Sequence, residues 1–359
     1  MAKKNNSEFA THLLNWYDSR RCNFPWRDCN DPYKIYLSEV MLQQTQVATV
    51  LPYYKKWIQK FPTIQSVAKA TQEQILKQWE GLGYYSRARN FHKSSQIIAD
   101  SFNGIIPSDP DEFSKLPGVG PYISAAVMSI AFHQPLPAVD ANAIRVAARM
   151  EMIDLPYPKN SNIIYNYYEN HIPIDRPGDF NQAIMDLGRE ICTAGNLKCS
   201  ACPVAVFCKA LVDNSVDKFP IKVKPPKKPH YDIAVGIVWN KGQILISKRR
   251  ENGLLGGLWE FPGGKIETGE NAQECIIREI KEELGVQVQP TSLLKQIKHA
   301  YTHFSITMDA YHCDYLSGSP KALGCDGWKW INPEDIKRLP FPKANHKLFD
   351  KLFIEDGIC

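Results

Sequence analysis

Along residues 8–210 the apolar positions recur at helical spacing. Helix-length stretches such as Ser38–Lys60 are separated by proline and glycine, and no run alternates as a strand does. Asp109-Pro110-Asp111-Glu112 predicts a helix start: Asp109 caps, Pro110 takes the first helical position, and Glu112 is placed for a capping box. From Tyr231 the pattern changes. AVGIVWN and QILISKRR predict two strands around the Asn240-Lys241-Gly242 turn. GENAQECIIREIKEELG predicts a helix whose Cys275, Ile276, Ile280 and Leu284 fall near one face, and IKHAYTHFSITMDAYHCDYL predicts more short strands. Residues 212–230, VDNSVDKFPIKVKPPKKPH, are rich in Lys and Pro and too poor in apolar residues for a core element. The expected organisation is multidomain: an all-α domain over 1–211, a linker over 212–230 and a mixed α/β domain over 231–359. There is no internal repeat.

Composition narrows this only a little. A chain of 359 residues is long enough for two cores, and 44% hydrophobic with 23% charged residues is ordinary for a soluble globular protein. No apolar run reaches the roughly 18 residues of a spanning helix. Met1 to Ala10 is polar and lacks the apolar segment of a secretory signal. These features predict a cytoplasmic chain with no membrane partner, and a monomer is expected. The net charge of +5 is mild, with its excess in the first half and the linker; residues 211–230 hold five Lys against two Asp. That is a weak pointer to a polyanion.

The candidate chemistry is more specific. Four of the ten cysteines lie within 17 residues, as Cys192-x6-Cys199-x2-Cys202-x5-Cys208. In a cytosolic chain such clustering reads as metal ligation before disulfides, and the spacing suits either one zinc ion or one [4Fe–4S] cluster. Leu116-Pro117-Gly118-Val119-Gly120-Pro121-Tyr122 precedes the apolar helix ISAAVMSIAF. Gly118 and Gly120 let the backbone turn tightly and expose N–H groups to a phosphate at the helix start. Asp140 follows Gly120 by twenty residues and is placed to cap a helix from Ala141. Glu39 sits beside an apolar run and the Gln43-Gln44 pair, a poor environment for a casual surface charge.

Pro25-Trp26-Arg27, the string Ser38-Glu39-Val40-Met41-Leu42-Gln43-Gln44-Thr45-Gln46-Val47, the LPGVG hairpin with its helix and the cysteine spacing together resemble the MutY adenine glycosylases, helix–hairpin–helix enzymes related to endonuclease III. The resemblance implies a structural [4Fe–4S] loop over 192–208, with Lys198 and Lys209 placed to meet phosphates. It implies double-stranded DNA with A:8-oxoguanine or A:G mispairs as the partner. Breaking an N-glycosidic bond calls for one carboxylic acid to protonate the leaving base and one carboxylate to stabilise the cationic sugar. By the resemblance Glu39 is the acid at adenine N7 and Asp140 the stabiliser, and partial burial would raise the Glu39 pKa toward working pH. Tyr122 and Asn142 support the site. Arg27 and Gln182 contact the flipped base, and Gln44 and Tyr84 fill or wedge the gap left by flipping, a step that costs a few kcal/mol. Bifunctional relatives carry a Schiff-base lysine where this chain has Tyr122. A phenol forms no imine, so a monofunctional glycosylase is expected.

Undamaged adenine carries no lesion, so specificity must come from the opposite base. Oxidation at C8 turns guanine N7 from acceptor to donor, which a hydroxyl can detect. His299-Ala300-Tyr301-Thr302-His303-Phe304 resembles the family's 8-oxoguanine-reading loop. The family commonly has Phe-Ser-His there; Thr302, beside His303, keeps the hydroxyl and adds a methyl. The same domain holds a complete Nudix box, Gly264-x5-Glu270-x7-Arg278-Glu279-Ile280-x-Glu282-Glu283-x-Gly285-Val286, after a MutT-like Leu258–Gly264 segment. Glu279, Glu282 and Glu283 could bind Mg²⁺ near a diphosphate. Hydrolysis of oxidised dGTP and a reader that keeps the box by descent both remain open. An endonuclease III-like enzyme for oxidised pyrimidines fits EVMLQQTQV, Tyr122 and the Nudix-like tail poorly. A non-catalytic iron–sulfur DNA-binding protein would have no need of Glu39 with Asp140.

Overall fold

The computed structural model describes residues 7–20, 23–27, 29–223 and 227–352. Residues 1–6 of the amino-terminal stretch and 224–226 of the expected linker lie outside them. Contacts divide the chain into two compact units, 1–68 with 93–225 and 69–92 with 226–359.

The helices run α1 (Glu8–Ser19), α2 (Pro32–Leu42), α3 (Val47–Lys60), α4 (Ile64–Lys69), α5 (Gln72–Trp79), α6 (Ser86–Ser101), α7 (Pro110–Ser114), α8 (Pro121–Phe132), α9 (Ala141–Glu151), α10 (Ser161–His171), α11 (Pro177–Glu190) and α12 (Lys209–Val212). In the first unit, Phe9, Leu13 and Tyr17 of α1 pack with Val146 and Ala147 of α9 and with Phe180, Ala183 and Leu187 of α11. Cys208 and Val204 of the cysteine loop join the same core. Each large side chain so buried contributes roughly 1.5–3 kcal/mol, and truncating Leu187 to Ala would cost about 2–5 kcal/mol. Burying this face is what aligns α9 and α11, the two helices that carry Asp140 and Gln182.

Two local expectations need correction. Ser38–Lys60 is not one helix. The chain leaves helical geometry at Gln43 and enters the left-handed region at Gln44, with φ of 55°, before α3 begins. Asp109 caps α7, accepting from the Asp111 and Glu112 N–H groups, but Glu112 completes no capping box. Its carboxylate takes Lys115 Nζ at 2.9 Å instead.

The second unit is built on a sheet of β1 (His230–Asn240), β2 (Gln243–Lys248), β3 (Trp259–Glu260), β4 (Gly263–Lys265), β5 (Gln287–Ala300), β6 (Ser305–Ser317) and β7 (Gly327–Ile331), with helices α13 (Ala272–Leu284) and α14 (Lys343–Leu352). The order is β3-β2-β1-β6-β5, with β4 against β1 and β7 against β2. Among the described residues only β1 and β6 pair in parallel, so the sheet is mixed. The predicted apolar face of α13 is buried: Cys275, Ile276, Ile280 and Leu284 pack on Ala234, Val238 and Leu245. On the other sheet face, Leu348 and Phe349 of α14 meet Ile237, Ile246 and Phe261. Asn271 and Glu274 form a capping box at the start of α13. Gly263 is dictated by close approach, since a Cβ there would fall 2.1 Å from Ala234 O, whereas at Gly264 it would meet the movable Glu279 carboxylate.

Residues 69–92, helical and placed by sequence pattern in the first domain, make their contacts within the second unit. Glu80 accepts from the Phe341 N–H at 2.8 Å and shares a hydrogen bond with His346 Nε2 at 3.0 Å. Glu73 accepts from Trp259 Nε1 at 2.7 Å, and Arg89 donates to Gly256 O at 2.7 Å.

Candidate active site

In the first unit Glu39 projects from α2, whose Asp31 cap and Pro32 fix the helix start. The helix is apolar on nearly every side, so Glu39 is carried into the interior and is 5% exposed. Tyr122, one residue into α8, donates its hydroxyl to Glu39 Oε2 at 2.7 Å. Burial pushes the Glu39 carboxyl up, and nearby Asp140 adds to this, while the Tyr122 hydroxyl and the Arg27 charge pull it down. The net direction is upward, as expected of a proton donor. Tyr122 is itself raised well above the usual phenol value by burial and by Glu39, so it remains a neutral donor.

Asp140 caps α9. Its Oδ1 accepts from the Ala143 N–H at 2.7 Å and its Oδ2 from Asn142 Nδ2 at 2.7 Å. Burial raises its carboxyl, opposed by those donors and by Arg145. Asn142 is held in turn by Arg145 Nη2 at 2.8 Å, and Arg145 also bonds Gly188 O and Cys192 O, each at 2.7 Å. Capping and facing inward are therefore compatible in Asp140.

The loop bearing Arg27 is fixed by a turn, Arg27 N–H to Phe24 O at 2.8 Å, and by Phe24 stacked on Trp26 at 5.4 Å. The Arg27 fork meets Asp186 of α11 in a bidentate pair and Tyr17 OH at 2.9 Å. Tyr17 donates to Gln182 Oε1 at 3.2 Å. Sequence reading singled out Arg27 and Gln182 but not their partners Asp186 and Tyr17, nor Arg145. Asp186 was detectable: it lies one turn beyond Gln182, on the same helix face.

The remaining first-unit positions are separate features. Gly118 has φ of 78° and Gly120 opens α8, with no atom within 4 Å of where its Cβ would stand, leaving the hairpin open at the helix start. Gln44 is exposed at its left-handed turn. Cys192, Cys199, Cys202 and Cys208 carry no disulfide. Burial, with Cys192, Cys208 and Cys199 as neighbours, pushes the Cys202 thiol up to about 12. Arg149 Nη1 lies 3.1 Å from Cys192 Sγ. Among the described residues no three Cys, His, Asp or Glu side chains are gathered to hold a single metal ion. Lys209 pairs with Glu151, and Lys198 lines a recess of about 290 Å³ with Arg20 and Arg189.

In the second unit Thr302 and His303 sit exposed at the β5–β6 turn, closed by Tyr301 N–H to Phe304 O at 2.8 Å. Tyr84, also left-handed with φ of 48°, meets the His303 ring edge-on at 6.3 Å, so the expected wedge and reader lie together. On α13, Arg278 takes Glu270 bidentately and reaches Glu279 at 3.0 Å and Glu282 at 3.4 Å. Glu283 is driven up to about 8 by burial and by Glu260 and Glu279, and its Oε2 is buried without a partner among the described residues. Glu260, paired with Arg249, is the carboxylate here that sequence reading missed.

Comparison with known proteins agrees with this layout. Residues 37–163 match the HhH-GPD superfamily of base excision DNA repair proteins, and residues 234–351 match the NUDIX domain. The adenine DNA glycosylase of Homo sapiens is 32% identical over 95% of this chain and 73% of its own length; that of Schizosaccharomyces pombe is 32% identical over 92% and 86%. A thermostable thymine-DNA glycosylase superposes with a TM-score of 0.53 at 29% identity, covering 57% of this chain and 95% of its own. An endonuclease III trapped covalently on DNA shares the fold, with a TM-score of 0.50 at 24% identity over 57% of this chain and 94% of its own. No described helix is long and apolar enough to cross a membrane. With a helix–hairpin–helix unit, a Nudix unit and adenine DNA glycosylases more than 30% identical over most of their length, the chain belongs to the adenine DNA glycosylase family, DNA N-glycosylases of base excision repair.

Proposed function

We propose that the chain excises adenine opposite 8-oxoguanine or guanine in double-stranded DNA, as a monofunctional glycosylase. The observation that carries this is the buried Glu39 carboxyl, raised and hydrogen-bonded by Tyr122, with Asp140 close enough to act on it. Glu39 delivers its proton to adenine N7 as the C1′–N9 bond breaks and its electron pair leaves with the base. Asp140, held by Asn142 and the Ala143 N–H, stays ionised against the positive sugar, and water adds to C1′ with loss of a proton. Arg27 and Gln182 line the base pocket, and Gln44 and Tyr84 enter the gap in the stack. Tyr122 offers no amine to the sugar aldehyde, which supports release of the base without strand cleavage.

The four thiols suit one [4Fe–4S] cluster: cysteines kept out of disulfides, mutually close, with the Arg149 cation beside Cys192 to offset thiolate charge. Its contribution when bound is to tie the 192–208 loop to the domain. Lys198, within that loop, faces a backbone phosphate. The domain roles follow the sequence boundaries, with 1–211 for chemistry and 231–359 for reading the opposite base through Thr302 and His303. The chain works as a monomer.

The test is adenine release from duplexes that differ only in the base opposite adenine. Faster release opposite 8-oxoguanine than opposite guanine, and none opposite thymine, is expected. Equal rates opposite all three would refute it. A second reading, hydrolysis of 8-oxo-dGTP at the Nudix box, is favoured by the partnerless Glu283 Oε2 among Glu260 and Glu279. Glu279, Glu282 and Glu283 would hold Mg²⁺, which would supply a Lewis acid for a diphosphate. Pyrophosphate release from 8-oxo-dGTP with Mg²⁺ separates the two readings.

A further inference from the structure

A guanidinium beside a general acid works against that acid, because positive charge favours the ionised carboxylate. Arg27 acts on Glu39 in this sense. Asp186 takes both ends of the Arg27 fork, Nη1 at 3.0 Å and Nη2 at 3.1 Å, and the two side chains are only 9% and 7% exposed. From the far side Arg189 donates to Asp186 Oδ1 at 3.0 Å and to Glu190 at 2.6 Å, so charges alternate away from Glu39.

We propose that Asp186 is a positioning residue: it holds the Arg27 guanidinium in a neutral pair, so that the fork can order the base pocket without drawing the proton off Glu39. The proposal rests on the reading of Glu39 as proton donor. The groups facing Glu39 leave the balance to this pair. Tyr122 is the single titratable residue of α8 and stays neutral, and Asp140 at the start of α9 raises Glu39. The charged residues of α3, Lys55, Lys56 and Lys60, are exposed. Arg27 is the cation that acts on Glu39, with Tyr17 of α1 bonded to its Nη1 and Asp186 of α11 across its fork.

The test uses the full-length chain with Asp186→Asn and Asp186→Glu, and two readouts. One is the pH profile of single-turnover adenine release. The other is the carboxylic-acid C=O infrared band of Glu39, identified by its loss in Glu39→Gln and titrated without DNA. In Asp186→Asn the alkaline limb and the band midpoint both move to lower pH by about one unit, a tenfold change in the protonation constant. Asp186→Glu returns both toward the parent. A band midpoint that does not move in Asp186→Asn overturns the proposal, whatever the rate does. Removing one partner of a buried pair can unfold a chain, so Arg27→Met/Asp186→Leu is titrated as well. With both charges gone its midpoint stays at or above the parent's, and a lowered midpoint also overturns the proposal. If the parent releases no adenine at any pH, the reading of the site fails, and the infrared titration still decides the role of Asp186.

Discussion

The two units each bury carboxylates, and they satisfy them differently. Glu39 and Asp140 in the first have donors matched to their oxygens: Tyr122 OH, Asn142 Nδ2 and the Ala143 N–H. Glu260, Glu279 and Glu283 in the second repel one another, and Glu283 keeps a buried oxygen with no partner among the described residues. Burial raises carboxyls in both places. The difference lies in what each arrangement is ready to do. A carboxyl with a neutral donor can hold and release one proton, whereas a cluster of mutually repelling carboxylates is stabilised by a proton or a cation. The first arrangement suits acid catalysis as it stands. The second pairs Glu260 with Arg249 and Glu279 with Arg278, yet leaves one buried Glu283 oxygen without a partner among the described residues.

The largest effect that would break this comparison is at Glu39. Glu39→Gln keeps the shape and removes the proton, and single-turnover adenine release is expected to fall by about 10³-fold while duplex affinity in a gel-shift titration stays within about twofold. Release at near-parent rates would place the acid elsewhere. Tyr122→Phe comes next. It removes a donor that favours the ionised form of Glu39, so the alkaline limb of the rate profile should move to higher pH. The maximal rate should drop by roughly tenfold as the carboxyl loses its tether. A limb that moves to lower pH would contradict the assigned hydrogen-bond direction.

How far the sequence carried this contrast can be judged residue by residue. The resemblance named Glu39, Tyr122 and Asp140 because all three lie in local strings with distinctive neighbours. Asp186 escaped because its meaning depends on Arg27, 159 residues away in the chain. Glu260 escaped similarly, since a two-residue strand in Leu258–Gly264 gives no sign that it will face Glu283. The helices and strands followed from periodicity, but the break at Gln43–Gln46 did not: apolar spacing continues across it without Gly or Pro, and tertiary context puts Gln44 in the left-handed region. The side on which residues 69–92 find their contacts is likewise a property of Glu73, Glu80 and Arg89 meeting distant partners, which pattern reading cannot supply.

The second cluster has its own test. Glu283 is raised in the folded chain to about 8 from an ordinary value near 4.5. The folded state therefore binds more protons than the unfolded state between these values, and the stability Glu283 contributes is complete below pH 4.5 and lost as pH rises toward 8. Glu283→Gln should flatten this loss, with the variant gaining on the order of 2 kcal/mol over the parent at pH 8 and little at pH 5. Urea unfolding at the two pH values measures it. If the parent is equally stable at both, the cluster is not strained. Mg²⁺ should raise the parent's unfolding midpoint at pH 8 and leave that of Glu283→Gln less changed.

The smallest expected effect separates the units by function. Thr302 stands exposed at a turn beside His303. Thr302→Val keeps the shape and removes the hydroxyl, forfeiting one hydrogen bond to the N7–H of 8-oxoguanine, about 1 kcal/mol or roughly fivefold. Release opposite 8-oxoguanine should slow by that factor under subsaturating enzyme, while release opposite guanine, whose N7 offers no proton, stays unchanged. The pH limbs set by Glu39 should not move, because exchanging a neutral hydroxyl for a methyl changes no charge. An equal loss opposite both bases would mean that Thr302 supports the loop and reads nothing. A shifted limb would mean that Thr302 acts on the proton of Glu39 as well as on the opposite base.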